Sequence, residues 1–327
     1  MKAIVVSSFQ GADGLELRDV PEPSAKQDEV LVNVAAVGVN FADVRSAMGL
    51  YPGGPKPDYI AGREFAGRRA DTGQAVMGYT QQGACAEKIA VSGDFLWPQP
   101  QGWNSIQAAA FPVNYFTAWL VYWKAGVVPG IGSPDNSPVS SRKPVRILIH
   151  AAAGGVGTAA VQLGRVMGFE TFGTASSDEK LERLRALGLN HAINYTREDY
   201  EQKVRELTSG EGVDVVFESL AGEHTGKSMR CCAPLGRVVL FGSSSGERPK
   251  FDILAMYEKG LSAHGLWLSR LARNRPLIDQ ALEWMQPWMD CGELKPQIGA
   301  KFPLEAAADS FRLLQGRKSF GKIVLTV

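Results

Sequence analysis

From Met1 to about Trp97, apolar and polar positions alternate over short runs, KAIVV, LELRDV, EVLVNVAAVGV, FAGRRA, QAVMGY and AEKIAV, separated by Pro, Gly and Asp clusters. This period-two pattern predicts half-buried strands, so the first part of the chain reads as mainly β. Beyond Pro98 the apolar spacing lengthens to three and four residues in IQAAAFPVNYFTAWLVYWKAG. That spacing predicts helix, with Ser105 as its N-cap and a break at Pro112. Tyr115, Phe116, Trp119, Tyr122 and Trp123 fall largely on one face, which reads first as core packing and second as a wall for a planar ligand.

The Pro-, Ser- and Gly-rich stretch Pro129 to Pro144 has no apolar periodicity and is expected to be an exposed connecting loop. After it, short apolar runs alternate with longer helical ones: RILIH, GGVGTAAVQLGRVMG, ETFGTA, DEKLERLRALG, HAINY, EDYEQKVRELTSG, VDVVFES, GKSMRCCAPLG and RVVLFG. Such alternation predicts βαβ units and a parallel sheet. Past Ala263 follow LIDQALEWMQPWMDCG and EAAADSFRLLQG, both helical in pattern, and a closing strand, GKIVLTV. A chain of 327 residues exceeds the usual size of a single core. Two unlike domains are therefore expected.

Composition narrows the function classes. Hydrophobic residues make up 45% and charged residues 21%, the balance of a globular protein. A net charge of +1 without a dense Lys/Arg tract argues against a nucleic-acid partner. No run approaches the ~20 apolar residues of a membrane span, and the apolar run Ala3 to Val6 reads as a strand rather than a signal-peptide core. A cytoplasmic setting is the expectation. Cys85, Cys231, Cys232 and Cys291 form no C-x-x-C pair and lie near no His at ligand spacing, so reduced and mostly buried thiols are expected in place of a metal site or disulfides.

The densest chemical signal is the strand Arg146 to His150 followed by Gly154, Gly155, Val156 and Gly157 at the start of a helical run. Glycines there permit a tight turn and bring backbone N–H groups at a helix N-terminus against a pyrophosphate. A glycine-rich packing turn is the competing reading. Where an NAD enzyme places an acid at the end of the next strand, this chain has Ser176 and Ser177, with Lys180 and Arg183 one turn on. Hydroxyls and cations suit a 2′-phosphate, which favours NADPH over NADH. Alternatively, Ser177 only caps the helix and Lys180 is solvated. His150 reads as a strand-end histidine donating to backbone, and His191, His224 and His264 are given no chemical role.

AVGVNFADVRSAMGLYP, AAAFPVNYFTAW, AAAGGVGTAAVQL, GTASSDEKL, AINY, GRVVLFGSSSG and FGKIVLT, in this order, resemble the quinone oxidoreductase branch of the medium-chain dehydrogenase/reductase superfamily. Within that branch they are similar to the subgroup of the vesicle amine transport protein. The resemblance implies an α/β chain in which a Rossmann-type doubly wound parallel sheet, residues 126–264, is inserted into a GroES-like mainly-β domain, residues 1–125 with 265–327. It implies that Lys180 and Tyr195 contact the adenosine 2′-phosphate region, that Phe241, Gly242, Ser243 and Ser244 line the nicotinamide, and that Asn40, Thr117 and Lys322 lie near the nicotinamide or pyrophosphate. From the residues alone, Tyr195 is equally a sheet-end aromatic and Lys322 a solvated strand charge.

Zinc-dependent relatives carry Cys where this chain has Asn40, and His where it has Arg63 in Gly62-Arg63-Glu64. Without those ligands, reduction of a polarised acceptor, a quinone or α,β-unsaturated carbonyl, is expected in place of zinc-assisted alcohol oxidation. Asn40 is expected to donate to the acceptor oxygen and Tyr51 to give a proton, a packing role for Tyr51 being the alternative. Arg63 is expected to pair with Glu64, anchoring of an anionic substrate being the alternative. The resemblance also implies a homodimer joined through the nucleotide-binding domain. A second function remains open, an NADPH-binding protein that handles a lipid or a partner with little catalysis.

Overall fold

The computed structural model describes residues 1–128 and 144–327; apart from Pro144, the expected connecting loop lies outside the described residues. Along the chain run β1 (Lys2–Val6), β2 (Leu15–Asp19), β3 (Glu29–Val39), α1 (Phe41–Ala47), β4 (Tyr59–Ile60), β5 (Glu64–Arg69), β6 (Ala75–Tyr79), β7 (Lys88–Ser92) and β8 (Leu96–Pro98). Then come α2 (Ser105–Ala109), α3 (Pro112–Lys124), β9 (Arg146–Ile149), α4 (Gly155–Val166), β10 (Glu170–Ala175), α5 (Asp178–Ala186), β11 (His191–Asn194), α6 (Tyr200–Leu207) and β12 (Val213–Glu218). The chain closes with α7 (Glu223–Cys231), β13 (Cys232–Leu240), α8 (Ile253–Glu258), β14 (Ser262–Gly265), α9 (Leu268–Leu271), α10 (Arg275–Asp290), β15 (Ile298–Pro303), α11 (Ala307–Gln315) and β16 (Lys322–Thr326).

These elements form two compact units, Met1–Asn114 with Lys295–Val327, and Tyr115–Leu294. In the first, β3 is the hub of a seven-stranded sheet ordered β15-β16-β3-β5-β6-β8, with β7 also paired to β3. A three-stranded sheet, β2-β1-β4, completes the unit. Val37, Phe65, Val76, Ile323 and Leu325 share its core. The closing strand is therefore a structural member of the N-terminal unit.

In the second unit six strands are ordered β11-β10-β9-β12-β13-β14, all parallel. Numbered within the unit this is 3-2-1-4-5-6, the doubly wound order. Its central strands RILI and VDVVFE are almost wholly buried, as strands covered on both faces must be.

The boundaries differ from the sequence expectation on both sides. Tyr115 Oη donates to Gln162 Oε1 at 3.1 Å and Tyr122 Oη to the Ala160 carbonyl at 2.8 Å, which fastens α3 to α4. At the other end Arg165 donates to the Glu293 carbonyl at 2.9 Å, and α10 buries Leu277, Ile278, Ala281, Met285 and Met289. Residues 115–125 and 265–294 thus join the parallel sheet's unit. All five α3 aromatics are buried, with Tyr122 against Phe217 at 4.6 Å between ring centroids, as core packing requires.

Two local expectations are also corrected. Asn104, not Ser105, caps α2: its side chain accepts from Gln107 N–H at 2.9 Å while the Gln107 side chain accepts from Asn104 N–H at 3.0 Å. The GKSMRCCAPLG run is split, because α7 stops at Cys231 and β13 begins at Cys232. Pro234 is incompatible with a continued helix, and Leu235 adopts φ +63° at an irregularity in the pairing of β13 with β12. Cys85, Cys231 and Cys232 are buried free thiols and Cys291 is exposed.

Candidate functional site

The glycine turn lies at the carboxyl end of the central strand β9. Ala151 turns the chain at φ +48°, Gly154 N-caps α4, and Gly155, Val156 and Gly157 make its first turn. A Cβ on Gly157 would stand 2.5 Å from the carbonyl oxygens of both Ala151 and Ala152, so only glycine lets the helix start this close to the turn. First-turn N–H groups have no intrahelical acceptor. Those of Gly155, Val156 and Gly157 therefore present donors and a positive dipole end, a cradle that fits a pyrophosphate.

Beside it, β10 ends at Ala175 and β11 at Asn194, which are register partners. Ser176 and Tyr195 thus leave adjacent strands at the same edge, and Tyr195 is 43% exposed. Ser177 accepts from Lys180 N–H at 3.4 Å and caps α5, as the plain capping reading holds. The Lys180 ammonium is partly buried rather than fully solvated, and burial lowers its pKa, with Glu179 opposing and Arg183 adding to the shift. Asp178 is engaged by Asn194 and Arg197, both at 2.6 Å. Sequence reasoning gave Arg197 no role, and its only signal was proximity to Tyr195.

Phe241, Gly242, Ser243 and Ser244 follow β13 and are held against the loop after β12. Phe241 N–H donates to the Glu218 carbonyl and Ser244 N–H to the Ser219 carbonyl, both at 3.0 Å. A Cβ on Gly242 would lie 2.9 Å from that Ser219 oxygen. Thr117, 6% exposed, sits on α3. The residues of this unit expected at the dinucleotide, Thr117 on α3 apart, therefore gather on loops and first helical turns at the carboxyl ends of parallel strands, where doubly wound sheets bind ligands.

Asn40, Tyr51 and Lys322 belong to the other unit, where Asn40 and Lys322 join a buried polar cluster and Tyr51 is partly exposed. Lys322 is 2% exposed and Glu64 fully buried, and the two form an ion pair. The solvated reading of Lys322 is thereby corrected, since β16 is an internal strand that turns this side chain inward. Lys322 Nζ also donates to Asn40 Oδ1 at 2.6 Å and Asn114 Oδ1 at 3.4 Å. Asn40 Nδ2 donates to Glu64 Oε1 at 2.9 Å and to the Gly38 carbonyl at 3.2 Å. Glu64 Oε2 accepts from Val113 N–H at 2.8 Å.

Arg63 pairs with Asp43 rather than with its neighbour Glu64. Its Nε lies 3.3 Å from Asp43 Oδ1, an Nη donates to Ser46 Oγ at 2.9 Å, and its guanidinium stacks 4.1 Å from the Tyr51 ring centroid. Arg63 lies just ahead of β5 and Glu64 opens it, and the two side chains reach different groups, Asp43 and Ser46 for Arg63, Lys322 and Asn40 for Glu64. An amide and a paired guanidinium at these two places do not suit a zinc ion. Among the described residues no group of three or more His, Cys, Asp or Glu is arranged to hold a metal.

Comparison with known proteins follows the same division. Residues 26–101 match the alcohol dehydrogenase GroES-like domain and residues 155–286 the zinc-binding dehydrogenase family. The chain is 31% identical over 352 residues to the synaptic vesicle membrane protein VAT-1 homolog of Danio rerio, covering 99% of this chain and 70% of that protein. It is 31% identical over 311 residues to the quinone oxidoreductase-like protein 2 homolog of Nematostella vectensis, covering 91% and 81%. The quinone oxidoreductase of Thermus thermophilus, solved also as its complex with NADPH, superposes over all of both chains with a TM-score of 0.85 and 34% identity.

Burial pushes the Asp43 carboxyl up to about 6, against the opposing pull of the Arg63 charge and the Asn40 N–H. The native state then holds this proton where the unfolded chain, at 3.8, has released it. Stability from this group falls as pH rises from about 4 to about 6, with a limiting slope of about 1.4 kcal/mol per pH unit. In urea unfolding across that window, the stability difference between wild type and Asp43→Asn is expected to change with this sign. A pH-independent difference would remove the assignment.

Proposed function

This chain belongs to the medium-chain dehydrogenase/reductase superfamily, and from that premise we propose that it is an NADPH-dependent, zinc-independent reductase of quinones or α,β-unsaturated carbonyls. The observation that carries the reading is the missing side chain at Gly157, which lets α4 start directly against the turn after β9 and leaves its first-turn N–H groups at the carboxyl edge of a sheet of doubly wound order. NADPH supplies the hydride when bound. Ser176, Lys180 and Tyr195 hold the 2′-phosphate end, and Phe241 to Ser244 the nicotinamide end. Thr117 adds a hydroxyl on the nicotinamide side.

In the other unit, Asn40 and Tyr51 serve the acceptor. Both Asn40 amide protons are already in use, so donation to an acceptor oxygen takes the proton now shared with the Gly38 carbonyl at 3.2 Å, the longer of its two bonds. Lys322 acts through Asn40, whose orientation it sets from the opposite side of the amide. Tyr51, its ring kept in place by Arg63, supplies the proton that accompanies hydride addition. A cytoplasmic setting belongs to this reading on composition; among the described residues no helix is long and apolar enough to cross a membrane.

A homodimer through the nucleotide unit is part of the same proposal. β14 is the terminal strand of its sheet, and Ile253, Leu254 and Tyr257 on α8 are 53%, 59% and 69% exposed. Edge strands and apolar patches of this kind favour self-association. Sedimentation is expected to give a dimer for the wild type and a monomer for Leu254→Asp. Identical behaviour of the two would reject that surface.

Function is tested by following NADPH absorbance with a panel of quinones and enones, with NADH as control. Turnover with either acceptor class is expected; tight NADPH binding without turnover on any acceptor would favour the binding-protein reading. Lys180→Ala is expected to weaken NADPH binding by about tenfold or more while leaving NADH binding nearly unchanged. Equal losses for both cofactors would refute the 2′-phosphate role.

A further inference from the structure

Beneath the nucleotide-side loops lies a hydrogen-bonded chain with a single direction. Glu218, the last residue of β12, is fully buried and has no ion pair among the described residues. Its Oε1 accepts N–H groups from Leu220 at 2.6 Å and Ala221 at 3.0 Å, and its Oε2 accepts the Ser228 hydroxyl at 2.5 Å. Having given its proton to Glu218, Ser228 Oγ can only accept from His150 Nε2, 3.0 Å away. Burial lowers the His150 pKa, with the Glu218 charge opposing and His224 adding to the shift, so the ring is neutral and carries one proton. Nδ1 is then bare and accepts from Thr174 Oγ1 at 3.3 Å.

His150 was expected to donate to backbone; its ring is instead held by two hydroxyls, and Tyr200 closes its edge at 4.9 Å between centroids. The position of this chain gives it consequence. His150 directly precedes the left-handed Ala151 and the glycine turn, and Thr174 lies near the end of β10. Glu218 draws in the loop Ser219 to Gly222, where Ala221 adopts φ +63°. That loop's Ser219 and Leu220 carbonyls in turn hold Ser244 and Ser245 through bonds of 3.0 and 2.9 Å. One carboxylate is thereby linked to the loops after β9, β12 and β13.

We propose that Glu218, Ser228 and His150 are positioning residues for the dinucleotide, with the Glu218 carboxylate fixing the His150 tautomer and presetting the loops that receive pyrophosphate and nicotinamide. The role rests on the NADPH reading above; the tautomer does not. A buried carboxylate with three donors and no cation among the described residues is costly to keep unless its bonds are complete, which is what makes the direction of the chain sharp.

The test is 15N NMR of the full chain, with the His150 ring signals identified by their loss in His150→Asn. In the wild type, Nε2 is expected to be protonated and Nδ1 bare. In Glu218→Gln the amide oxygen keeps the Leu220 and Ala221 N–H groups while its NH2 donates to Ser228, whose hydroxyl must turn to His150 Nε2. The ring proton then moves to Nδ1 and the two 15N resonances exchange character. NADPH affinity is expected to fall about tenfold in the same variant.

A proton on Nδ1 in the wild type, an unchanged tautomer in the variant, or an exchanged tautomer with unchanged NADPH affinity would each overturn the proposal. Should Glu218→Gln not fold, Ser228→Ala removes one hydroxyl and is expected to leave a mixture of tautomers with NADPH binding about tenfold weaker. Retention of the Nε2 form with wild-type affinity would overturn it again. Wild-type protein with the expected tautomer but no NADPH binding would refute the nucleotide reading, and with it this role, while leaving the hydrogen-bond directions intact.

Discussion

The nucleotide unit depends on the absence of a side chain at Gly157. With a Cβ at 2.5 Å from two carbonyl oxygens, any other residue would push α4 away from the end of β9. Because it is glycine, the helix begins directly against the turn, and three N–H groups without intrahelical acceptors face the carboxyl edge of the sheet. That edge is the centre of the parallel order, with β10 and β11 on one side and β12 and β13 on the other. The loops bearing Ser176, Tyr195 and Phe241 are therefore brought to one side of the sheet by topology.

Buried carboxylates organise both units, and they do so differently. Glu64 is matched by the Lys322 cation and finished by Asn40 and Val113, the arrangement in which a buried ion pair can hold its shape despite desolvation. Removing one member of such a pair leaves a bare charge and costs about 3–5 kcal/mol. Among the described residues Glu218 has only neutral donors, so its charge is spread over two backbone amides and a hydroxyl. In each unit the carboxylate acts through what it orients. Asn40 is set by Glu64 and Lys322 from two sides, and the Phe241 to Ser245 segment rests on a loop shaped by Glu218.

Much of this was legible in the chain because it is local. The β9 strand, the glycines and α4 are contiguous, and the amphipathic spacing of the flanking helices identified the parallel sheet without any long-range information. Ser177 was readable as a cap for the same reason. What escaped depends on residues far apart in sequence. Lys322 and Asn40 are 282 positions apart, so nothing near FGKIVLT marks the lysine as buried. Arg63 and Glu64 looked like partners because they are adjacent, whereas their actual partners, Asp43 and Lys322, come from other parts of the chain. The unit boundaries slipped because α3 and α10 were counted with their sequence neighbours, while their apolar faces and the Tyr115, Tyr122 and Arg165 bonds belong to the parallel sheet's side.

The most direct measurement is a backbone-amide NMR titration of the 15N-labelled protein with NADPH. The largest shifts are expected at Gly155, Val156 and Gly157, with a second group at Ser176, Ser177 and Lys180 that is much weaker when NADH is used. Perturbations confined to other regions, or none at saturating NADPH, would contradict the assignment of this turn as the dinucleotide site.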